Sequence, residues 1–304
     1  SMVWLFRYAV MEVTILSARD ILAKSVMYDI TPEQLLQDAY YGTGGFQDGT
    51  YLVPHRRERL RKYKARCEIA YYLNYVQPVV NSHVDPVFNH SIMRDWEDNG
   101  LFSKFYEDVD CNGTDLSRFM KQAGLIAKLK GMCAVVIDNF PAEEQPKTMR
   151  EVLAQRKMPY AFILEPEEII SYKVNKFGKL TEFTYYEAES DMENGNDKVR
   201  ITWTETEWIR VAKDGTEIRG QHNLGRVPVA LLLSRKVKKG VIKPPSEFYS
   251  IAKTNHRIFN LCSELDELIR NQCFSVLIYP GIAGAGNPRS GNTGAQEITI
   301  GTDN

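Results

Sequence analysis

The hydrophobic residues in the first half of the chain recur with a helical period. Thr31-Pro32-Glu33-Gln34 has the form of a capping box with proline at the first helical position, which predicts a helix start. From Arg56 onward, Leu60, Tyr63, Cys67, Ala70 and Asn74 are spaced three or four residues apart and predict a long helix. Pro78 and Pro86 are expected to kink or divide that helix.

A second helix is predicted between Thr114, its expected cap, and Lys130, with Gly131 ending it. The residues of its apolar face are Leu116, Phe119, Ala123, Ile126 and Ala127. The run Met132–Ile137 then predicts a buried strand, and a short helix is expected around Thr148–Arg156.

The period changes to that of strands over residues 160–234, which predict a small antiparallel β unit. Residues 199–204 alternate between apolar and polar side chains, as in a half-buried strand. Asp214-Gly215 predicts a tight hairpin, because glycine accepts a positive φ, and residues 176–179 are a weaker candidate of the same kind. Val227–Leu233 is nearly all apolar and predicts a central strand.

The helical period returns after Pro244-Pro245, where Ser246 is expected to cap a helix from Glu247 to about Gln272. Such a helix would be about 39 Å long. Its apolar seam predicts another helix packed against it and is the candidate oligomer or stem face. That seam consists of Phe248, Ile251, Asn255, Ile258, Cys262, Leu265 and Ile269. A strand at Phe274–Tyr279 and a glycine-rich segment at 281–294 follow.

The composition is that of an ordinary globular protein, with 43% hydrophobic and 25% charged residues. The chain has 38 Lys and Arg and 39 Asp and Glu. It therefore lacks the basic excess that tight, static binding of nucleic acid requires. Five cysteines without a C-x-x-C pair argue against zinc and thioredoxin-type sites and are typical of a reducing compartment. No run is long enough to span a membrane.

The glycine-rich segment has the spacing of a phosphate-binding P-loop at Gly286–Thr293. Asn292 stands where the phosphate-binding lysine belongs, so we expect no nucleotide site there. Asp108-x-Asp110-x-Asn112-Gly113 copies half of an EF-hand loop, but the twelfth position is Phe119. We interpret that loop as a turn ahead of the next helix.

The remaining polar clusters have simple interpretations. Glu165, Glu167 and Glu168 are interpreted as solvated charge at a turn, and the basic residues at 56–66 as a solvated or intersubunit helix face. The histidines show no metal-binding pair. No catalytic, cofactor-binding or metal-binding residue is therefore predicted, and the chain is not expected to be an enzyme.

Six segments, taken in order, resemble the portal-protein family of tailed bacteriophages, and the resemblance covers about residues 50–304. They are Tyr51–Pro54 with Arg59, Tyr63, Arg66, Tyr72, Asn74 and Val84–Phe88; Asp108–Phe119; Gly131–Asp138; Tyr160–Ile170; His222–Val229; and Phe248–Asn255 with Asn260, Ser263 and Glu264. Residues 2–49 do not share the resemblance.

The resemblance implies a portal-like α+β fold. Its expected parts are an N-terminal arm (1–50), a helical wing part (51–158), an antiparallel β wing unit (159–243), a stem helix (244–278) and the start of a glycine-rich clip (279–304). Because members of that family continue into a second stem helix, the resemblance also implies that this chain is an N-terminal portion.

The function implied by the resemblance is structural and needs no cofactor. Portal subunits form a dodecameric ring at one capsid vertex of the virion, after assembly in the host cytoplasm. Double-stranded DNA passes through the ring during packaging and ejection, and the partners are terminase, head-completion and connector proteins, and capsid and scaffolding proteins. Two alternatives remain open: a nucleotide-dependent phage enzyme using residues 281–294, and a virion adaptor protein that forms no ring.

Overall fold

A computed structural model describes most of the chain from Ile30 onward. The described residues are 30–56, 58–90, 92–93, 95, 100–140, 148, 150–152, 158–188, 198–236, 242–273, 277–278 and 297–298. Residues 1–29 of the predicted N-terminal arm (1–50), most of the short helix at 148–156 and the glycine-rich segment 281–294 lie outside these residues. Residues 30–50 of that arm are described and contain the first helix of the fold.

The fold is α+β. The helices are α1 (Pro32–Tyr41), a 3₁₀ turn (Gly44–Phe46), α2 (Leu60–Ile69), α3 (Val76–Phe88), α4 (Leu101–Glu107), α5 (Leu116–Lys130) and α6 (Tyr249–Cys273). The strands are β1 (Met132–Asp138), β2 (Tyr160–Leu164), β3 (Ile169–Val174), β4 (Leu180–Ala188), β5 (Lys198–Thr204), β6 (Glu207–Val211), β7 (Glu217–Gln221), β8 (Val229–Leu233), β9 (Leu277–Ile278) and β10 (Glu297–Ile298).

The strands between residues 160 and 234 divide between two sheets, where the sequence predicted one β unit. Strands β3 to β7 form a five-stranded antiparallel meander in chain order. Strands β2 and β8 leave it and flank β1 in a three-stranded antiparallel sheet. The prediction that residues 227–233 form a central strand is therefore wrong, since β8 is an edge strand. Pairing between segments about 100 residues apart leaves no local sequence signal.

The two sheets and α5 stack as three layers. Met132, Ala134 and Val136 of β1 pack with Phe183, Tyr185, Val199, Ile201 and Trp203 of the five-stranded sheet. On the opposite face of β1, Cys133 packs against Ala123 and Ala127 of α5. This alternation is the period of a strand buried on both faces. The Cys133 side chain is fully buried, and burial raises the pKa of its thiol to about 12.

Both predicted hairpins are confirmed within the meander. The Ala212 amide donates to the Thr216 carbonyl at 2.9 Å across the Asp214-Gly215 turn, where Gly215 has a φ of +87°. The Asn175 amide donates to the Lys179 carbonyl at 2.8 Å across the second hairpin. The alternating burial of residues 199–204 is also confirmed, with Val199, Ile201 and Trp203 buried.

The long helix predicted from Arg56 is broken into α2 and α3 by an extended segment at residues 70–75. Two side chains of that segment cap the C-terminal end of α1: the Tyr72 hydroxyl donates to the Ala39 carbonyl at 2.8 Å, and the Asn74 amide to the Tyr40 carbonyl at 2.7 Å. Carbonyls in the last helical turn lack a partner within the helix. Hydrogen bonding to these carbonyls requires residues 70–75 to be extended, which explains why the helix is broken there and not at Pro78. Pro78 lies in the first turn of α3.

The N-terminal cap of α5 is Asp115. The sequence pattern had predicted Thr114, so that prediction is wrong by one residue. The Asp115 carboxylate accepts from the amides of Ser117 at 2.9 Å and Arg118 at 3.1 Å. In the preceding loop, Asp108 and Asp110 accept hydrogen bonds from backbone amides of Gly113, Asn112 and Thr114. These carboxylates therefore close the turn itself, in agreement with its interpretation as a turn.

Candidate functional site: the surface of helix α6

Helix α6 has the extent that the sequence predicted. The Ser246 hydroxyl accepts from the Phe248 amide at 3.0 Å and donates to the Leu129 carbonyl at 2.5 Å. It therefore fixes the start of α6 to the end of α5. The helix then runs for 25 residues.

One face of α6 is buried in the helical core. Phe248, Ala252, Asn255, Phe259 and Ser263 are each 5% exposed or less. The apolar members, Phe248, Ala252 and Phe259, pack with residues of α1, α3 and the 3₁₀ turn. The ring centroids of Phe259 and of Phe46, in the 3₁₀ turn, are 5.4 Å apart. The Asn255 amide donates to the Tyr72 hydroxyl, which links this face to the segment that caps α1. We call these five residues the inner face.

A second apolar surface lies on the other side of α6. Each helical residue turns the chain by about 100°, so Leu261 and Leu268 lie nearly opposite Phe259, with Leu265 and Ile269 beside them. These four side chains are 49%, 59%, 55% and 50% exposed, in the order named. Ile258 and Cys262 adjoin them and are half-buried. We call these six residues the outer stripe.

The predicted seam is split between these two surfaces. Phe248 and Asn255 belong to the inner face, and Ile251 packs at its edge. Ile258, Cys262, Leu265 and Ile269 belong to the outer stripe. The sequence pattern missed Leu261 and Leu268 on the outside. It also missed Ala252, Phe259 and Ser263 on the inside. Ala252 and Ser263 are small or polar and weaken a hydrophobic period, and Phe259 is apolar but lies outside the spacing that was followed.

The loop after Tyr51 is fixed along a third side of α6. The Val53 amide donates to Asn260 Oδ1 at 2.8 Å, and His256 Nε2 lies 2.8 Å from the Tyr51 carbonyl oxygen. Since a carbonyl only accepts, the proton of neutral His256 is on Nε2. A groove of about 290 Å³ lies between this loop and the helix. Its lining residues are Val53, Lys253, His256, Arg257, Asn260, Leu261 and Glu264.

The C-terminal half of α6 is fixed to α2 by an ion pair between Lys62 and Glu267. A hydrogen bond from Lys62 lowers the pKa of Glu267 below its ordinary value. Within α2, the guanidinium of Arg66 is buried and donates to the Val53 carbonyl at 2.8 Å and to Glu58 at 3.1 Å. Two members of the basic run at 56–66, Lys62 and Arg66, thus make structural contacts, while Arg61 and Lys64 face solvent.

A buried cation that the sequence did not indicate joins the helices to the sheets. Lys130 Nζ lies 2.5 Å from Glu165, 2.6 Å from Glu167 and 2.9 Å from Gln37. Burial acts to lower the pKa of Lys130, but the hydrogen bonds and charges of both glutamates outweigh it, so the pKa is raised. The interpretation of Glu165 and Glu167 as solvated charge is therefore incomplete: their side chains are 37% and 39% exposed, but they also bind a lysine side chain that is 2% exposed.

Within the described part of the chain, no three His, Cys, Asp or Glu side chains are grouped so as to hold a metal ion. The described helices include none of the length and apolarity needed to cross a membrane. A scan of the sequence against protein-family models found no match, and a search of curated proteins found no significant relative. The function therefore has to be inferred from the residues and their geometry.

Proposed function

We propose that this chain is a structural subunit of an assembly, and specifically of the ring-shaped portal at a bacteriophage capsid vertex. The observation that carries the proposal is the outer stripe of α6. The role proposed for it is contact with a helix of a neighbouring copy or with a second stem helix. In this function the chain catalyses no reaction.

The outer stripe has the composition and spacing of a helix–helix contact. Leu261, Leu265 and Leu268 recur at four- and three-residue intervals, the spacing with which helices interdigitate. Fully burying one such side chain stabilises by about 1.5–3 kcal/mol. Because the four exposed members are roughly half-exposed, covering them would contribute about 1 kcal/mol each, or about 4 kcal/mol per copy. Exposed apolar patches of this kind mark interaction sites.

The rigidity of α6 supports a role as a scaffold. Its inner face, its attachment to α5 through Ser246 and its ion pair with α2 hold the helix along most of its length. A fixed helix presents its outer residues in one geometry, which lowers the entropy cost of association. Repetition of one fixed head-to-tail contact closes a ring when its rotation divides a full turn evenly.

The specific assignment to a portal rests on the resemblance of six ordered segments to that family. The proposed arrangement has α6 as a stem helix lining a channel for double-stranded DNA, with the five-stranded meander in the wing. Terminase and connector proteins would dock at the clip, for which residues 279–304 are proposed. A channel of this kind works through its geometry, and the net charge of −1 suits DNA that must slide.

The proposal is tested by negative-stain microscopy and mass photometry on the product of the complete reading frame. Closed rings with a central channel are expected. Discrete dimers or complexes without a channel would favour the virion adaptor instead. The enzyme alternative is tested by a melting-temperature titration with ATP and Mg²⁺, because a ligand that binds the native state raises the melting temperature. No shift is expected, and a saturable shift would contradict the proposal.

A further inference from the structure

The groove beside α6 is a fixed feature of the surface. Three hydrogen bonds join side chains that line the groove to the loop backbone: the Val53 amide donates to Asn260 Oδ1, and Asn260 Nδ2 and His256 Nε2 both bind the Tyr51 carbonyl oxygen. Because these hydrogen bonds already hold the loop against the helix, little entropy is lost in ordering the groove when a ligand binds. A smaller entropy cost favours higher affinity.

Two cations that line this groove have no carboxylate partner among the residues that the structure describes. Lys253 and Arg257 are exposed and lie one helical turn apart. Among the described residues, Arg257 makes no ion pair or side-chain hydrogen bond, and the interaction described for Lys253 is with the Tyr249 ring at 5.3 Å. The guanidinium group is suited to bidentate binding of a carboxylate.

The other lining residues restrict the kind of anion that fits. Val53 and Leu261 are 39% and 49% exposed and give the groove an apolar wall. Glu264 closes its C-terminal end with a negative charge. A phosphate backbone carries a charge at every step and could not avoid Glu264, and it would gain nothing from the apolar wall. A peptide can place a single carboxylate on the cations, away from Glu264. A peptide offers both a carboxylate and an apolar side chain, so the charges and the wall together favour a peptide.

We propose that the groove binds an acidic peptide segment of a partner protein. In this complex a carboxylate of the segment binds Arg257 and Lys253, and an adjacent apolar side chain contacts Val53 and Leu261. The inference does not depend on the portal assignment, because the two cations that bind the carboxylate, Lys253 and Arg257, lie outside the outer stripe, at about 120° and 160° around α6 from Phe259. Leu261 belongs to both surfaces, at the edge where they meet.

Fluorescence anisotropy with three labelled probes tests the proposal. The probes are a short glutamate-rich peptide with two leucines, the same peptide with alanines in place of the leucines, and an oligothymidine of equal net charge. The leucine peptide is expected to bind most tightly, and added salt to weaken it. The double variant Lys253→Ala/Arg257→Ala should lower its affinity at least tenfold.

A matched control removes two cations from another helix. Arg118→Ala/Lys121→Ala takes the same charge from α5 and should leave the affinity within twofold. Equal losses in the two double variants, or oligothymidine binding as tightly as the leucine peptide, would overturn the proposal. Repeating the titration in Leu265→Gln/Leu268→Gln, which makes the outer stripe polar without adding charge near the groove, separates failure of the peptide proposal from failure of the assembly proposal. A groove variant that changes the oligomeric state without affecting peptide binding would assign the groove to a subunit contact and also overturn the inference.

Discussion

At the scale of single residues, Lys130 holds together three segments that are distant in the sequence. It lies at the end of α5 and binds Gln37 of α1 and two glutamates of the β2–β3 turn. Its ammonium group is almost fully buried, so its hydrogen bonds replace water that it has lost. The Lys130 ammonium group thereby links the helical layer to the sheet layer.

We expect Lys130→Met to lower the free energy of unfolding by about 1.5–3 kcal/mol, the contribution of hydrogen bonds to a charged group. The glutamates are 37% and 39% exposed, so water partly compensates them and limits the loss. Lys128→Met is the control, since Lys128 is 33% exposed and lies 3.4 Å from Glu247. It should change stability by less than about 0.5 kcal/mol. Equal changes in urea denaturation would contradict the buried contact.

At the scale of elements, the Asp214-Gly215 hairpin and helix α6 were predictable because their signals are local. A glycine at a turn and a serine after two prolines act within a few residues. The sequence could not predict which side of α6 is buried and which is exposed, because both sides carry apolar residues at helical spacing. The inner face includes Asn255 and Ser263, whose places in the core depend on neighbours such as Tyr72.

The location of β8 and the binding partners of Lys130 were not predictable for a different reason. Strand β8 pairs with β1, although about 100 residues separate them, and the β2–β3 turn reaches Lys130 from 35 and 37 residues away. Contacts of this range depend on the whole fold and leave no periodic pattern in the sequence.

Gly215→Val should lower stability by about 1–3 kcal/mol, because a β-branched residue is strained at a φ of +87°. A Cβ atom at this position meets nothing within 4 Å, so the loss would report on the backbone conformation alone. Gly215→Asn should lose less, since asparagine accepts this conformation more readily. Thermal unfolding of both variants measures the difference, and a valine variant as stable as wild type would argue against the turn.

The two faces of α6 should respond differently to truncation. Phe259→Ala removes a ring that is 2% exposed and should lower the free energy of unfolding by about 3–5 kcal/mol. Leu265→Ala removes a side chain that is 55% exposed and should change it by less than about 0.5 kcal/mol when the chain is monomeric. Denaturant titrations at low protein concentration compare them. A larger loss for Leu265→Ala would mean that the inner and outer faces are assigned the wrong way round.

At the scale of the whole molecule, the described part of the fold combines a packed body with an apolar helix surface, the outer stripe of α6, that no described residue covers. The layers of helix and sheet stabilise each other through Lys130 and the shared core of β1. The outer stripe contributes nothing to that core. We propose that association accounts for these apolar residues at helical spacing on a fixed helix, and this is the central claim of the proposed function.

The measurement that tests this claim most directly is mass photometry of the complete reading-frame product beside its Leu265→Glu/Leu268→Glu variant, at matched concentration. The double variant puts two charges into the proposed contact, where an unpaired buried charge is strongly unfavourable. Circular dichroism would show that both proteins are folded. We predict closed rings of one size for the wild type and monomers for the variant. A wild-type protein that stays monomeric, or a variant that assembles equally well, would contradict the claim.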